Sequence, residues 1–269
     1  MLLRHPRETG TSVFDENAYE LIDEHTGNCL SQCYLSKEYN KVLFPTRPYS
    51  VRLEINGNTS LELLLGAALA HAYRLCHIFQ EPARIYACCP PEHDDLFKLL
   101  LNYGFQDTDG LVRMAKAFPA PAPNRRTLPV GCVLVQDDLS DPTEQKYFLE
   151  RYNTLYGVDN GRQWLQEARQ YPGFTRYLAV ASVGLVGEII LWQEPLVGVV
   201  GYIQTAKRWR RRGIASYLIS VAEDYFSERG LYGVQTDVRV RIPGMLSLME
   251  AVGYRQEKLL MRYPKMDIS

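Results

Sequence analysis

The sequence predicts two tandem α/β domains, each built on a mixed sheet of α+β character. Three observations predict it. Residues 118–130 (FPAPAPNRRTLPV) hold four prolines and no hydrophobic period, so they read as a linker. On either side of them the same order appears: strand, amphipathic helix, strand, short helix. The two runs also align without a gap, residues 49–105 on 198–254, at the constant offset 253 − 104 = 149 set by Gly104-Phe105 and Gly253-Tyr254. The boundaries drawn on this basis are a first domain at 1–118, a linker at 119–129 and a second domain at 130–269.

Each element has its own warrant. In the second half, residues 196–205 (LVGVVGYIQT) form an apolar run of strand length. Residues 214–228 place Ile214, Tyr217, Leu218, Val221, Ala222 and Tyr225 at three- and four-residue spacing, and Gly230 ends that helix. Residues 232–240 read as a strand, 245–251 as a short helix and 259–263 as a last strand. In the first half the counterparts are a strand at 49–55, a helix at 61–76, a strand at 84–88 and a helix at 96–101. Alternating strands and helices are common in themselves. The Gly-aromatic pair in the same register is what favours duplication.

Composition bounds the remaining classes. The chain has 269 residues, 30 Lys plus Arg and 31 Asp plus Glu, hence a formal charge of -1. That balance is ordinary for a soluble globular protein and argues against a dedicated nucleic-acid coat. A chain of this size hides roughly 73% of its unfolded surface, enough for a sizeable core. The first ten residues (MLLRHPRETG) lack the apolar centre of a secretory signal, and no stretch approaches the ~20 apolar residues of a membrane helix. The expected setting is the cytoplasm. The six cysteines then read as free thiols; Cys29 and Cys33, four apart, suit one helix face in a core rather than a metal site. No metal is expected.

The two helix starts differ, and the difference carries the functional reading. A helix leaves its first backbone N–H groups unpaired. In Asn58-Thr59-Ser60-Leu61-Glu62 the pair Thr59 and Glu62 fits a capping box that closes those donors. In Lys207-Arg208-Trp209-Arg210-Arg211-Arg212-Gly213-Ile214-Ala215-Ser216 no such cap precedes the helix, and five of the six residues 207–212 are basic. Cations at the positive end of a helix dipole are disfavoured unless an anion joins them. Gly213 lets a phosphate approach the backbone, and the small Ala215 keeps the next turn uncrowded. The competing reading is a solvated basic loop or a nucleic-acid patch.

Arg210-Arg211-Arg212-Gly213-Ile214-Ala215 resembles the R/Q-x-x-G-x-G/A motif of the GCN5-related N-acetyltransferases (GNAT), and Gly253-Tyr254 resembles that family's later Gly-Phe. The resemblance covers residues 130–263. It implies two tandem GNAT-like acyl-CoA N-acyltransferase domains, the first a degenerate copy in which Leu61, Leu64 and Gly66 replace Arg210, Gly213 and Ala215. It implies a first strand at 131–136, helices at 143–156 and 161–170, and strands at 176–182 and 186–193. It implies acetyl-CoA as co-substrate, held by Ile203, Gln204, Thr205, Arg208, Arg210, Arg211, Arg212, Gly213, Ile214, Ala215 and Ser216, with backbone N–H groups near 203–205 polarising the thioester.

The sequence departs from the family where protons move. Met249 stands where a Tyr often serves as general acid, and Ile242 replaces a common Asn. The remaining candidates are Glu188 on an apolar strand, read as facing solvent at a sheet edge, with Asp237, Tyr202 and Tyr254. All five histidines (His5, His25, His71, His77, His93) fall in the first half. The expected function is an N-acetyltransferase acting on an amine of a small molecule or peptide. The alternatives are a non-catalytic acyl-CoA-binding or regulatory protein and a nucleic-acid binder using residues 207–212. The expected partners are acetyl-CoA and an amine acceptor, with a homodimer left open and neither membrane nor nucleic acid expected.

Overall fold

The computed structural model describes residues 1–6, 15–118, 127–156, 160–242 and 244–269. The elements run β1 (Leu2–Arg4), β2 (Ala18–Ile22), β3 (Cys29–Tyr39), β4 (Tyr49–Gly57), α1 (Leu61–Ile78), β5 (Ala83–Cys88), α2 (Asp94–Asn102) and β6 (Gly110–Ala117) in the first half. They continue with β7 (Cys132–Asp137), α3 (Pro142–Tyr156), α4 (Gly161–Ala168), β8 (Thr175–Ala181), β9 (Gly184–Gln193) and β10 (Val197–Thr205). The rest are α5 (Ile214–Ser227), β11 (Gly233–Arg239), α6 (Met245–Ala251), β12 (Arg255–Arg262) and β13 (Lys265–Ile268). Most expected elements appear within a few residues of their sequence-drawn bounds. No described helix is long and apolar enough to cross a membrane.

The chain divides into two compact units. The first holds residues 1–111, 154–158 and 259–269, around a six-stranded sheet ordered β1-β2-β3-β4-β5-β13. Strands β1 to β4 pair antiparallel, and β4 and β5 pair parallel through all six positions from Tyr49↔Ala83 to Glu54↔Cys88. Helix α1 crosses between β4 and β5. It buries Leu64, Leu65, Ala68, Leu69, Ala72, Leu75 and Cys76, a stripe at helical spacing. That stripe meets Leu53, Ile85, Leu100 and Phe105 in the core. Each such leucine contributes about 2 kcal/mol when removed from water.

The second unit holds residues 112–153 and 159–258, with a seven-stranded sheet ordered β12-β6-β11-β10-β9-β8-β7. Helix α5 buries Ile214, Leu218, Ile219, Ala222 and Phe226 against it. Two glycines permit the close approach. A Cβ at Gly187 would stand 2.9 Å from Ile214 Cγ2, and one at Gly198 would overlap the Phe226 ring.

The boundary at 118 requires correction. Residues 110–117 lie next to β11 in the seven-stranded sheet, and residues 265–268 pair antiparallel with β5 in the six-stranded one. A strand's partner is set by long-range pairing, which a proline-rich segment after it does not reveal. Of the linker drawn at 119–129, residues 119–126 lie outside the described residues.

Three local expectations also change. Cys29 and Cys33 lie on strand β3, not a helix; Cys33 is buried, which pushes its thiol up to about 12. The capping box does not form. Ser60 is the N-cap of α1, with a left-handed φ of 47° and no side-chain cap bond. The Ser31 hydroxyl instead ties the Thr59 backbone at both its N–H (3.1 Å) and its carbonyl (2.9 Å). The gap-free alignment fails at the helix starts as well. Residues 58–60 join β4 to α1, whereas residues 206–213 join β10 to α5. The first-half helix therefore begins a turn early, and Leu64, opposite Gly213 in the alignment, is a fully buried helix residue.

Candidate active site

The second unit opens its sheet where the first keeps it closed. Strands β10 and β11 pair parallel only at Val197↔Gly233, Gly198↔Val234 and Val199↔Gln235. The Thr236 hydroxyl then donates to the Val200 carbonyl at 2.8 Å, and past that point no further pairing of β10 with β11 occurs among the described residues. A bulge accompanies the parting: the β9–β10 register shifts between Val200 and Tyr202. Gly201 sits in the shift, where a Cβ would collide with the Trp192 ring. Ile203, Gln204 and Thr205 remain paired to β9 opposite Ile189, Glu188 and Gly187. Their other edge faces the gap, so this stretch offers backbone donors and acceptors to an extended ligand.

The strand runs directly into the basic turn. Residues 207–209 form one turn of 3-10 helix, and Arg211 (φ 64°) and Gly213 (φ 81°) adopt left-handed backbone. Gly213 is the N-cap of α5 and provides no side-chain cap. Helix α3 shows the contrast. There Asp141 accepts backbone N–H bonds from Thr143 (2.7 Å) and Glu144 (2.9 Å). The start of α5 has no such carboxylate and is surrounded by cations instead.

Those cations are exposed but partly positioned. Arg208 donates to the Val183 carbonyl at 2.6 Å, and Arg210 donates to the Thr205 carbonyl at 3.2 Å. The Arg212 guanidinium lies 5.0 Å from the centre of the Trp209 ring. Two buried polar atoms flank the turn, Thr205 Oγ1 and Trp209 Nε1, and neither finds a hydrogen-bond partner among the described residues. Buried polar atoms are seldom left so. Ile214 is buried under the turn, while Ala215 and Ser216 are half-buried at its rim. Open amides, left-handed glycine, convergent cations and unsatisfied donors together suit a polyanion such as the pyrophosphate of a coenzyme.

The four candidates for proton transfer are not brought together as acid and base. Glu188 does not face solvent; it is fully buried. Arg151 holds it with two bonds, Nε to Oε1 at 2.7 Å and Nη2 to Oε2 at 2.9 Å, and Arg176 approaches it at 3.5 Å. Arg176 is itself fully buried and also meets Asp137 and, at 3.0 Å, Glu144. The strand alternation that looked like an edge is a core position made tolerable by two guanidinium groups. Asp237 is exposed and pairs with Arg113, Nε to Oδ1 at 2.7 Å and Nη2 to Oδ2 at 3.0 Å. Tyr202 is buried and donates to the Gln204 side chain. Tyr254 is buried, and its hydroxyl has no partner among the described residues; burial first, then the Glu223 charge, holds its pKa well above the usual value. Met249, on α6, is fully buried.

Several participants escaped the sequence. Arg151 and Arg176 stand 37 and 12 residues from Glu188, and no local pattern links them. A ring cluster also forms on α3, α4, β9 and β10. Trp164 stacks on Tyr152 at 4.7 Å, and Tyr202 meets Phe148 edge-on at 5.3 Å. The spread of these positions from 148 to 202 along the chain hid it. Among the described residues no group of three or more His, Cys, Asp or Glu is placed to hold a metal ion.

A parallel strand pair that parts after three positions thus leads through a basic turn to an uncapped helix. Residues 135–254 match the acetyltransferase (GNAT) family. The chain is 26% identical over 137 residues to N-alpha-acetyltransferase 30 of Schizosaccharomyces pombe, covering 49% of this chain and 80% of that protein. In fold it is similar to a GCN5-related N-acetyltransferase from Sphaerobacter thermophilus, with TM-score 0.58 at 15% identity, covering 96% of this chain and 82% of that one. A tandem GNAT protein from the clavulanic acid biosynthesis pathway is similar at TM-score 0.53 and 14% identity, over 93% and 82% of the two chains.

Proposed function

We propose that the second unit is an N-acetyltransferase domain that takes acetyl-CoA as donor and acetylates an amine by direct transfer. The observation that supports this most is the parting of β10 from β11 beside the uncapped, arginine-rich start of α5. In this reading residues 203–205 hold the pantetheine arm as a strand partner. The N–H groups at the start of α5, with Arg208, Arg210, Arg211 and Arg212, take the phosphates. The residues fit the co-substrate: they supply open donors, positive charge and two unsatisfied polar atoms, and the Gly213 backbone leaves room.

Catalysis in this reading rests on positioning and polarisation. Two substrates held in line remove much of the entropic barrier, and donors along the strand edge stabilise charge on the thioester oxygen. The amine nitrogen bonds to the carbonyl carbon, the carbon–sulfur bond breaks and the amine proton leaves through solvent. Glu188 acts as a buried structural charge, since both its oxygens are occupied by Arg151. The N-alpha-acetyltransferase relative supports an amino terminus as one acceptor to be tried first.

The first unit is, in the same reading, a degenerate copy with no cofactor site. Its β4 and β5 stay paired over six positions, and the first turn of α1 fills the place of the basic loop. The test is release of free CoA from acetyl-CoA in the presence of amino-terminal peptides and small amines, followed by thiol titration. Turnover with any amine supports the reading. Saturable acetyl-CoA binding without turnover on a broad amine panel would leave a binding protein instead.

A further inference from the structure

A cavity of about 670 Å³ lies in the first unit, and none of its lining residues belongs to the splayed strands or the basic turn. Arg4, His5, Glu16, Tyr19, His71 and Arg74 line it. Arg4 ends β1, Tyr19 lies on β2, and His71 and Arg74 stand three apart on α1, on one face. Volumes of this order suit small ligands.

The lining carries more positive than negative groups. Glu16 is the single carboxylate among the six, against two arginines and two histidines. Arg4 is partly engaged, its Nε donating to Glu20 Oε1 at 2.6 Å. Arg74 opposes the upward push that burial gives the Tyr19 hydroxyl. His71 is made less basic first by burial, then by Arg74 and His5, with Glu16 acting the other way. With Arg4 paired to Glu20, Arg74 is the cation that bears on both Tyr19 and His71.

The neutral groups are tied to one another and to the backbone. The Tyr19 hydroxyl lies 3.2 Å from His71 Nδ1. With the hydroxyl donating, that nitrogen accepts and the proton of the neutral ring sits on Nε2. His5 Nδ1 lies 2.7 Å from the Ala18 carbonyl and so donates to it. The His5 ring is tilted 4.5 Å from the Tyr19 ring, which gives the cavity an aromatic wall.

We propose that this cavity is a binding site for a small anion carrying a carboxylate or phosphate group, held by Arg74 and His71 with Arg4 and His5 at its rim. The anion would pair with the Arg74 guanidinium and accept from His71 Nε2. The site shares no residue with the coenzyme loop, so the two readings stand or fall separately.

The test uses the full chain with isotope-labelled histidines, whose five ring signals are followed by NMR. Inorganic phosphate and citrate are titrated separately, each against sodium chloride of matched ionic strength. The His5 and His71 signals are expected to move saturably, with a midpoint on the order of millimolar, and the apparent pKa of His71 is expected to rise at saturation. The signals of His25, His77 and His93 should follow the chloride control. A response to phosphate alone assigns the phosphate class, and to citrate alone the carboxylate class. Arg74→Gln should weaken the midpoint about tenfold or more, and Arg74→Lys should restore part of it. If neither anion moves His5 and His71 beyond the chloride control, or if a folded Arg74→Gln responds like the wild type, the site does not exist. Should Arg74→Gln fail to fold, the wild-type titration decides alone.

Discussion

Val199 pairs with Gln235, and it is the last position at which β10 and β11 are joined in register. In the first unit the corresponding strands stay paired through Glu54 and Cys88. The sheet of the second unit therefore parts between these neighbouring strands, and that of the first stays paired. The bulge at Gly201 and the long turn at 206–213 both follow from that parting, since the strand must bend away before the helix begins.

Gly213→Glu should lower acetyl-CoA affinity by at least about 100-fold. The left-handed backbone at φ 81° strains any side chain, and a carboxylate there repels phosphate. The control in the first unit must avoid Leu64, which is fully buried; Leu63 is 52% exposed, so Leu63→Glu should leave both fold and affinity unchanged. Calorimetry on the two variants checks this pair.

Glu188→Gln should cost about 3 kcal/mol of stability, because Arg151 and Arg176 lose a buried counter-charge. The folded fraction should keep its acyl-transfer rate. Urea unfolding with parallel turnover measurements checks it. A loss of rate at unchanged stability would restore Glu188 as a catalytic base.

Lys116→Met should make stability fall with rising pH. Lys116 Nζ donates to both Glu223 oxygens and to the Val252 carbonyl, each at 2.9 Å. Burial raises the Glu223 pKa, and Lys116 holds it down. Without the lysine the folded-state pKa climbs further above the unfolded value of 4.5. The protonated carboxyl is then favoured by folding, and stability drops by up to ~1.4 kcal/mol per pH unit as pH rises between the two pKa values. Urea unfolding at successive pH values from 5 to 8 should show the slope in the variant and a weaker one in the wild type.

Tyr254→Phe should leave turnover intact and hold or raise stability by about 1 kcal/mol. Its hydroxyl is buried without a partner among the described residues, and its pKa stands well above the usual value. A drop in the maximal rate with its upper pH limb displaced would instead make Tyr254 the general acid.

Much of this was legible in sequence because periodicity and turn chemistry are local. The stripe of α5, the glycine at 213 and the basic run lie within twenty residues. What escaped depends on distant partners. The Thr59 capping box lost to the Ser31 hydroxyl, 28 residues away, which holds the Thr59 backbone. Glu188 looked exposed because Arg151 and Arg176 come from α3 and β8. Residues 110–117 and 265–268 are short strands whose sheet is chosen by pairing alone. The aligned repeat concealed the longer β10–α5 turn, since a helix extended by one turn keeps the register of everything after it.

The most direct measurement is calorimetric titration of acetyl-CoA into the purified full chain, with 3′-dephospho-CoA as the comparison ligand. The account predicts saturable binding near micromolar, about 8 kcal/mol, retained in part by the dephospho compound because the pyrophosphate carries the contact with α5. No heat of binding at millimolar ligand would mean that residues 207–216 form a solvated basic loop, and the resemblance to acetyltransferases would then extend to the fold alone.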